Sequence, residues 1–127
     1  MAWIELVSVL AVLQYLVFGV LVAKAHVTYG VKLPAMSGNE QFERLYRVQM
    51  NTLEQIVAFL PALWMASHYW PAPWMAGLGA VYLVGRLVYW KSYVNDPASR
   101  TTGFAMTILP TIVLLLATLV GLVKTAL

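Results

Sequence analysis

The stretch FERLYRVQMNTLE, residues 42–54, places charged and amide side chains directly before a long apolar segment, QIVAFLPALWMA. Arg47, Asn51 and Glu54 follow the spacing i, i+4, i+7, which puts them on one face of a helix. Gln49 points away from that face. Because hydrocarbon cannot solvate such groups, we expect the face to be buried against a ligand or against protein.

The rest of the chain is apolar, since 61% of the 127 residues are hydrophobic and only 10% are charged. Soluble domains carry about 25% charged residues. Three spans contain no Asp, Glu, Lys or Arg: residues 6–23, 55–85 and 105–123. Apolar spans of about 20 residues predict transmembrane helices. The chain is therefore predicted to be one all-α membrane domain that covers residues 1–127.

The middle apolar span is too long for one crossing of a membrane. The segment HYWPAPW, residues 68–74, divides it, because Pro71 and Pro73 cannot continue a helix. The aromatic residues around these prolines are typical of a membrane interface. We therefore predict a four-transmembrane-helix bundle with helices at residues 3–30, 39–69, 73–95 and 98–125.

Two of the predicted helices begin with capping signals. Ser37 and Glu40 fit a capping box at the start of the second helix. Asp96 is a predicted N-cap for the fourth helix, with Pro97 at the first helical position. This assignment places Arg100 in the first turn of the fourth helix.

A second polar stripe lies on the predicted third helix. Its residues follow the spacing i, i+4, i+7, i+11: Tyr82, Arg86, Tyr89 and Tyr93. Ionisable residues in membrane spans usually face a bundle interior or a cavity. An ion pair between Arg86 and Glu54, and simple packing of the tyrosines, are the structural alternatives to a ligand site. Arg44 and Lys91 are interpreted as surface charges.

Basic residues are concentrated in two of the three segments that join the predicted helices. They are Lys24, Lys32, Arg44 and Arg47 between the first two helices, and Lys91 and Arg100 between the last two. The positive-inside rule predicts that both segments are cytoplasmic and that both termini lie on the other side. The two polar stripes then converge with Arg100 at the cytoplasmic side. His26 is either near this site or a solvated residue at the helix end.

The composition excludes several kinds of site. The chain has no cysteine, so disulfides, thiolate metal sites and cysteine nucleophiles are excluded. The two histidines are far apart in the sequence, and we predict no metal site. The net charge of +3 gives little support to nucleic-acid binding. No cleavable signal peptide is expected, because no Lys or Arg precedes the first apolar span.

Several cations gathered with one carboxylate suit a small zwitterionic ligand that carries more than one carboxylate. Glutathione has this mixture of groups, although spacing alone does not select it over other anions. An Arg beside its thiol would favour the thiolate, which is the reactive nucleophile. An opening toward lipid would admit an apolar electrophile from the bilayer.

Three segments resemble the MAPEG family, the membrane-associated proteins in eicosanoid and glutathione metabolism. They are FERLYRVQMNTLE, then GLGAVYLVGRLVYWKSY at residues 77–93, and SRTTGF at residues 99–104. The branch most similar to this chain contains the microsomal glutathione transferases of types two and three and the cysteinyl-leukotriene synthases. The chain looks like a compact, bacterial form of that branch, which implies an inner-membrane location.

The resemblance implies a homotrimeric glutathione transferase that acts in detoxification, with glutathione bound between subunits. It also implies lipophilic electrophiles or, in a peroxidase reaction, lipid hydroperoxides as second substrates. Arg100 matches the catalytic arginine that stabilises the thiolate. The positions that match glutathione-binding residues are Arg47, Gln49, Asn51, Glu54, Tyr89 and Tyr93, with His26 and Arg86 as further candidates.

Two departures from the family pattern qualify this interpretation. Gln55 stands where the family often has Tyr, and Val27 stands where the leukotriene-forming branch has an Arg, which argues against leukotriene synthesis.

One alternative is a non-catalytic lipid-binding or scaffold protein with the same fold. A small multidrug transporter is disfavoured, because the only acid of the first helix is the terminal Glu5.

Overall fold

The computed structural model describes residues 1–127, and most of the chain is helical. The four long helices are α1 (Ala2–Thr28), α2 (Glu40–Ser67), α3 (Ala72–Asn95) and α4 (Thr101–Ala126). A short 3-10 helix, Pro97–Ser99, precedes α4. The predicted four-helix bundle is confirmed, and each predicted boundary lies within three residues of the observed one.

Consecutive helices pack against each other in antiparallel directions, so both chain termini lie at one end of the bundle. We call this the terminal end, and we call the opposite end, with the α1–α2 and α3–α4 connections, the loop end. Helices α2 and α3 pack against each other and against both outer helices, and α1 and α4 lie on opposite sides of this central pair. The two polar stripes predicted from the sequence therefore belong to the two central helices.

The terminal end holds the main apolar core. A cluster of twelve buried residues joins the four helices there, and the Phe59 and Tyr82 rings stack within it at 3.8 Å between centroids. The indole of Trp64 donates to the Ser8 hydroxyl at 2.8 Å, and that of Trp70 donates to the Ala117 carbonyl at 2.8 Å. These bonds fasten the end of α2 to α1 and the α2–α3 connection to α4.

The outward surfaces of α1 and α4 are apolar. By length and composition, α1 and residues 97–126 are able to cross a membrane, with mean hydropathies of 2.5 and 2.4. Only 22% of the apolar window of α1 is buried within the bundle, so most of its side chains face outward. Helices α2 and α3 have similar lengths, 28 and 24 residues, but carry the polar stripes.

Helices α3 and α4 approach most closely through two glycines. A Cβ atom on Gly103 would lie 2.3 Å from the backbone nitrogen of Tyr89. A Cβ atom on Gly85 would lie 2.8 Å from the backbone carbonyl carbon of Met106. Small residues let membrane helices bring their backbones together. The close approach holds the start of α4, with Arg100, beside the end of α3.

The helix starts differ in detail from the prediction. Asn39, not Ser37, is the N-cap of α2, and its side chain accepts a hydrogen bond from the Phe42 amide at 3.0 Å. The predicted capping box is therefore wrong. Asp96 caps the 3-10 helix by accepting from the Ala98 amide at 3.1 Å, and Arg100 is the N-cap residue of α4.

Arg44 ties the start of α2 to the end of α3. Its guanidinium donates to the carbonyls of Val94 and Asn95 at 2.9 and 3.2 Å, and it also pairs with Glu40. The last carbonyls of a helix lack partners within the helix, so this Arg satisfies groups that would otherwise depend on water. The interpretation of Arg44 as a surface charge is therefore wrong, since its side chain is only 18% exposed.

Candidate functional site

A polar cavity of about 600 Å³ opens at the loop end of the bundle. Three helices supply its lining: Arg47 and Asn51 from α2, Tyr89 and Tyr93 from α3, and Arg100, Thr101 and Phe104 at the start of α4. Five of these seven residues are among those that the sequence predicted for the site. The cavity therefore brings together part of each polar stripe and the start of the fourth helix.

The α2 face has the arrangement predicted from its spacing. The guanidinium of Arg47 lies 3.6 Å from the Glu54 carboxylate, and the Asn51 amide donates to the same carboxylate at 3.4 Å. Arg47 and Glu54 are about half exposed, so their pairing stabilises the fold little. Glu54 lies beside the cavity and is not part of its lining.

Asn51 is the buried member of this face. Its side chain is part of the cavity lining, yet only 6% of the residue is exposed. Its carbonyl oxygen has no hydrogen-bond partner. Buried polar atoms without partners are uncommon in folded proteins. A bound group with an N–H or O–H donor would satisfy this oxygen.

Two tyrosines form the α3 wall of the cavity. The rings of Tyr89 and Tyr93 stack with 5.5 Å between centroids and 13° between planes. Tyr89 is 2% exposed, and Gly103 of α4 packs against its backbone. The position of this wall is therefore set by the close contact between α3 and α4.

The start of α4 supplies the second cation of the site. Arg100 is exposed, and its guanidinium donates to the Pro97 carbonyl at 3.0 Å across the 3-10 helix. The lining residues Thr101 and Phe104 were not predicted. Phe104 lies four positions after Arg100, a spacing at which side chains are neighbours on a helix surface, whereas spacing gives no such signal for Thr101.

Arg86 is not part of the cavity lining. It is 0% exposed and donates to the hydroxyls of Thr107 and Thr52 at 3.0 and 3.1 Å. Its guanidinium carbon lies 4.4 Å from the centre of the Tyr89 ring. The alternative of an ion pair between Arg86 and Glu54 is wrong, because Glu54 pairs with Arg47 instead.

Gln49 and His26 also lie away from the cavity in the single chain. The Gln49 amide nitrogen packs against Gly19 of α1, 3.0 Å from where a Cβ atom would be. The Nδ1–H of His26 donates to the Val31 carbonyl at 2.8 Å, and the ring packs against Phe42 at 4.5 Å between centroids. His26 therefore organises the α1–α2 connection in this chain.

An apolar groove of about 520 Å³ runs beside the polar cavity between α3 and α4. Thr101 lines both the groove and the cavity. The rest of the groove is formed mainly by hydrophobic side chains: Leu78, Val81, Ala105, Met106, Leu109, Pro110 and Val113. A polar ligand and an apolar ligand can therefore lie next to each other at the start of α4.

Comparison with known proteins identifies related chains. The sequence model described as the MAPEG family matches residues 4–120. An uncharacterized protein of Synechocystis is 42% identical over 120 residues, which cover 94% of this chain and 88% of that protein. Human microsomal glutathione S-transferase 2 is 37% identical over 102 residues, or 80% of this chain and 69% of the human one.

Bovine leukotriene C4 synthase is 35% identical over 94 residues, which cover 74% of this chain and 63% of the synthase. The family match, which extends from residue 4 to residue 120, includes all of the residues that line the cavity.

Proposed function

The chain belongs to the MAPEG family, and on that premise we propose that it is an integral membrane glutathione transferase. In this proposal it conjugates the glutathione thiolate to lipophilic electrophiles. The main support is the polar cavity, which combines two guanidinium groups with an unpartnered buried acceptor and has no carboxylate in its lining. Relatives named as a glutathione transferase and a leukotriene C4 synthase support the same class of chemistry.

The groups of glutathione match the groups that line the cavity. Arg47 is assigned to a carboxylate, because a guanidinium fork binds carboxylates in a bidentate manner. The carbonyl oxygen of Asn51 is assigned to a ligand N–H, since it is buried and has no partner within the protein. The hydroxyls of Tyr89 and Tyr93 are further donors in the lining.

Arg100 is proposed as the catalytic residue. Its guanidinium would stabilise the deprotonated sulfur, which is the nucleophilic form of glutathione. The sulfur then forms a bond to carbon of the electrophile, and the bond from that carbon to the leaving group breaks with its electron pair. When the electrophile is an epoxide, the leaving oxygen stays attached and takes up a proton.

The α3–α4 groove is the proposed place for the lipophilic electrophile. It is apolar, and it meets the polar cavity at Thr101, the residue after Arg100. A lipid hydroperoxide in the same groove would expose its peroxide bond to the same sulfur. A second glutathione would then be needed to release the resulting sulfenic derivative as glutathione disulfide, so peroxidase activity is a separate proposal.

A homotrimer with the loop end in the cytoplasm completes the proposal. The basic residues of both connections at the loop end support this orientation, which places both termini on the other side of the membrane. Gln49 and His26 do not reach the cavity of their own chain. Their proposed contact with glutathione therefore requires a neighbouring subunit.

The decisive experiment measures glutathione-dependent turnover of chlorodinitrobenzene and of a lipid hydroperoxide by the detergent-purified protein. Arg100→Ala is expected to lower conjugation about 100-fold, as loss of a group that stabilises developing charge does. The thiolate absorbance that appears on glutathione binding should fall in parallel. Lys91→Ala removes an exposed cation outside the cavity and serves as the matched control.

Normal conjugation by Arg100→Ala would refute the role of this residue. Lipid binding without any conjugation by the wild-type protein would favour the non-catalytic scaffold protein instead.

A further inference from the structure

Arg86 joins the three helices that build the cavity. It is fully buried on α3, and its guanidinium donates to Thr52 of α2 and to Thr107 of α4. Both threonines are themselves fully buried, and each hydroxyl also donates to a carbonyl of its own helix. The Arg86 side chain is therefore held in one position by neutral partners.

No carboxylate neutralises this charge. Its ionisable neighbours on α3 are Tyr89, whose ring lies under the guanidinium, and Tyr82, one helical turn before it. The facing residues of α2 and α4, Thr52 and Thr107, do not ionise, and the Nη2 atom of Arg86 has no hydrogen-bond partner. A buried cation without a counter-ion is costly, and apolar residues of similar size often pack at lower cost. The hydrogen bonds to Thr52 and Thr107 join the helices, but they do not require a positive charge, so cohesion of the bundle does not by itself explain a cation at this position.

Tyr89 separates this cation from the cavity. The guanidinium of Arg86 lies over the Tyr89 ring, and the same tyrosine lines the cavity. Tyr89 also lines this cavity together with Arg47 and Arg100, the two cations of the lining. Charges act over longer distances in a low-dielectric interior than in water. The charge of Arg86 therefore contributes to the potential inside the cavity although the side chain does not touch it.

We propose that Arg86 is a positioning residue that holds Tyr89 in the cavity wall and adds its uncompensated charge to the potential that stabilises a bound thiolate. This inference rests on the proposed glutathione transferase function and deepens it. Arg86, a candidate for contact with glutathione on the basis of the sequence, is not proposed as such a contact, because a fully buried side chain outside the lining does not reach the ligand.

The test is a pH titration of the thiolate absorbance in protein saturated with glutathione. Arg86→Met keeps the length and apolar packing of the side chain but removes the charge. We expect its titration midpoint to rise by about one pH unit, which is about a tenfold loss of thiolate at pH values below the midpoint. Arg86→Lys keeps the charge and should restore most of the shift.

Lys91→Met is the matched control, because Lys91 is an exposed cation on the same helix and water screens its charge. Its midpoint should remain at the wild-type value. If Arg86→Met does not fold, Arg86→Gln replaces it, since a neutral amide can still donate to Thr52 or Thr107. A purely structural role would change stability or glutathione affinity and leave the midpoint of the bound thiol unchanged.

The possible outcomes separate the inference from the proposed function. An unchanged midpoint in a folded neutral variant of Arg86 overturns the inference alone, as does an equal shift in Lys91→Met. Absence of thiolate absorbance in the wild-type protein overturns both the inference and the proposed function.

Discussion

The two ends of the bundle are stabilised in different ways. The terminal end is held by the twelve-residue apolar cluster and by indole hydrogen bonds. The loop end has smaller apolar clusters, of four and three residues. It depends more on guanidinium groups: Arg44 donates to carbonyls at the end of α3, and Arg86 connects three helices. Apolar packing at one end leaves the polar residues of the other end available to form a cavity.

This contrast between the two ends shows how a membrane bundle accommodates a polar site. Helices in lipid gain little from burying apolar surface against each other, so close packing and hydrogen bonds hold them together. At the loop end, backbone contact at Gly103 and the buried bonds of Arg86 supply that cohesion. The exposed pair Arg47–Glu54 contributes little, which leaves these side chains free to meet a ligand.

The largest effect is expected from glycine substitutions that compare the two ends. Gly103→Ala places a methyl group against the Tyr89 backbone and should destabilise the protein by about 3 kcal/mol. Gly79→Ala at the terminal end meets a methyl group of Val7 at 2.5 Å and no backbone atom, so a small shift of one side chain relieves the clash and the cost should be about 1 kcal/mol. Thermal unfolding in detergent measures both. Equal losses would contradict the claim that the α3–α4 backbone contact dominates.

A smaller effect is expected where Arg44, near the start of α2, contacts the end of α3. Arg44→Met keeps the apolar stem but removes the hydrogen bonds to the carbonyls of Val94 and Asn95, at a cost of about 1.5 kcal/mol. Hydrogen exchange should accelerate in the last turn of α3 and in the 3-10 helix. Lys91→Met is the control and should leave exchange there unchanged. Equal hydrogen-exchange rates in the two variants would contradict the role of Arg44 in holding the end of α3.

The smallest effect is expected at the start of α2. Asn39→Ala removes the side chain that caps the Phe42 amide and should cost about 1 kcal/mol. Ser37→Ala should cost close to nothing, because Ser37 lies outside the helix and makes no capping bond. Chemical denaturation of the two variants compares these costs. A larger loss in Ser37→Ala would restore the capping box predicted from the sequence.

Much of the fold and part of the candidate site followed from the sequence. Uncharged spans, two prolines and helical spacing predicted four helices and placed the α2 and α3 stripes on single faces. The same spacing predicted that Arg47 and Asn51 share a face, and both line the cavity. The spacing did not reveal Thr101 and Phe104, because their place in the lining depends on how α4 packs beside α3.

Two arginines show where prediction from sequence ended. Arg86 and Arg100 both looked like ligand-binding cations, yet one is fully buried and the other is exposed in the cavity lining. Likewise, the sequence allowed Glu54 to pair with Arg86, whereas the structure pairs it with Arg47 on its own helix. The partner of a charged group depends on distances between helices, and helical spacing contains no information about those distances.

The number of helices and the face on which each polar residue lies could be predicted from the sequence, because both follow from local geometry and composition. The family was indicated by the resemblance of three segments to its members. The tertiary structure decided that Asn51 is buried without a partner, that Arg86 lies behind Tyr89, and that Arg44 caps α3. These contacts depend on the distances between helices and on how far the helices are shifted along each other. Glycine contacts and side-chain packing together fix both quantities.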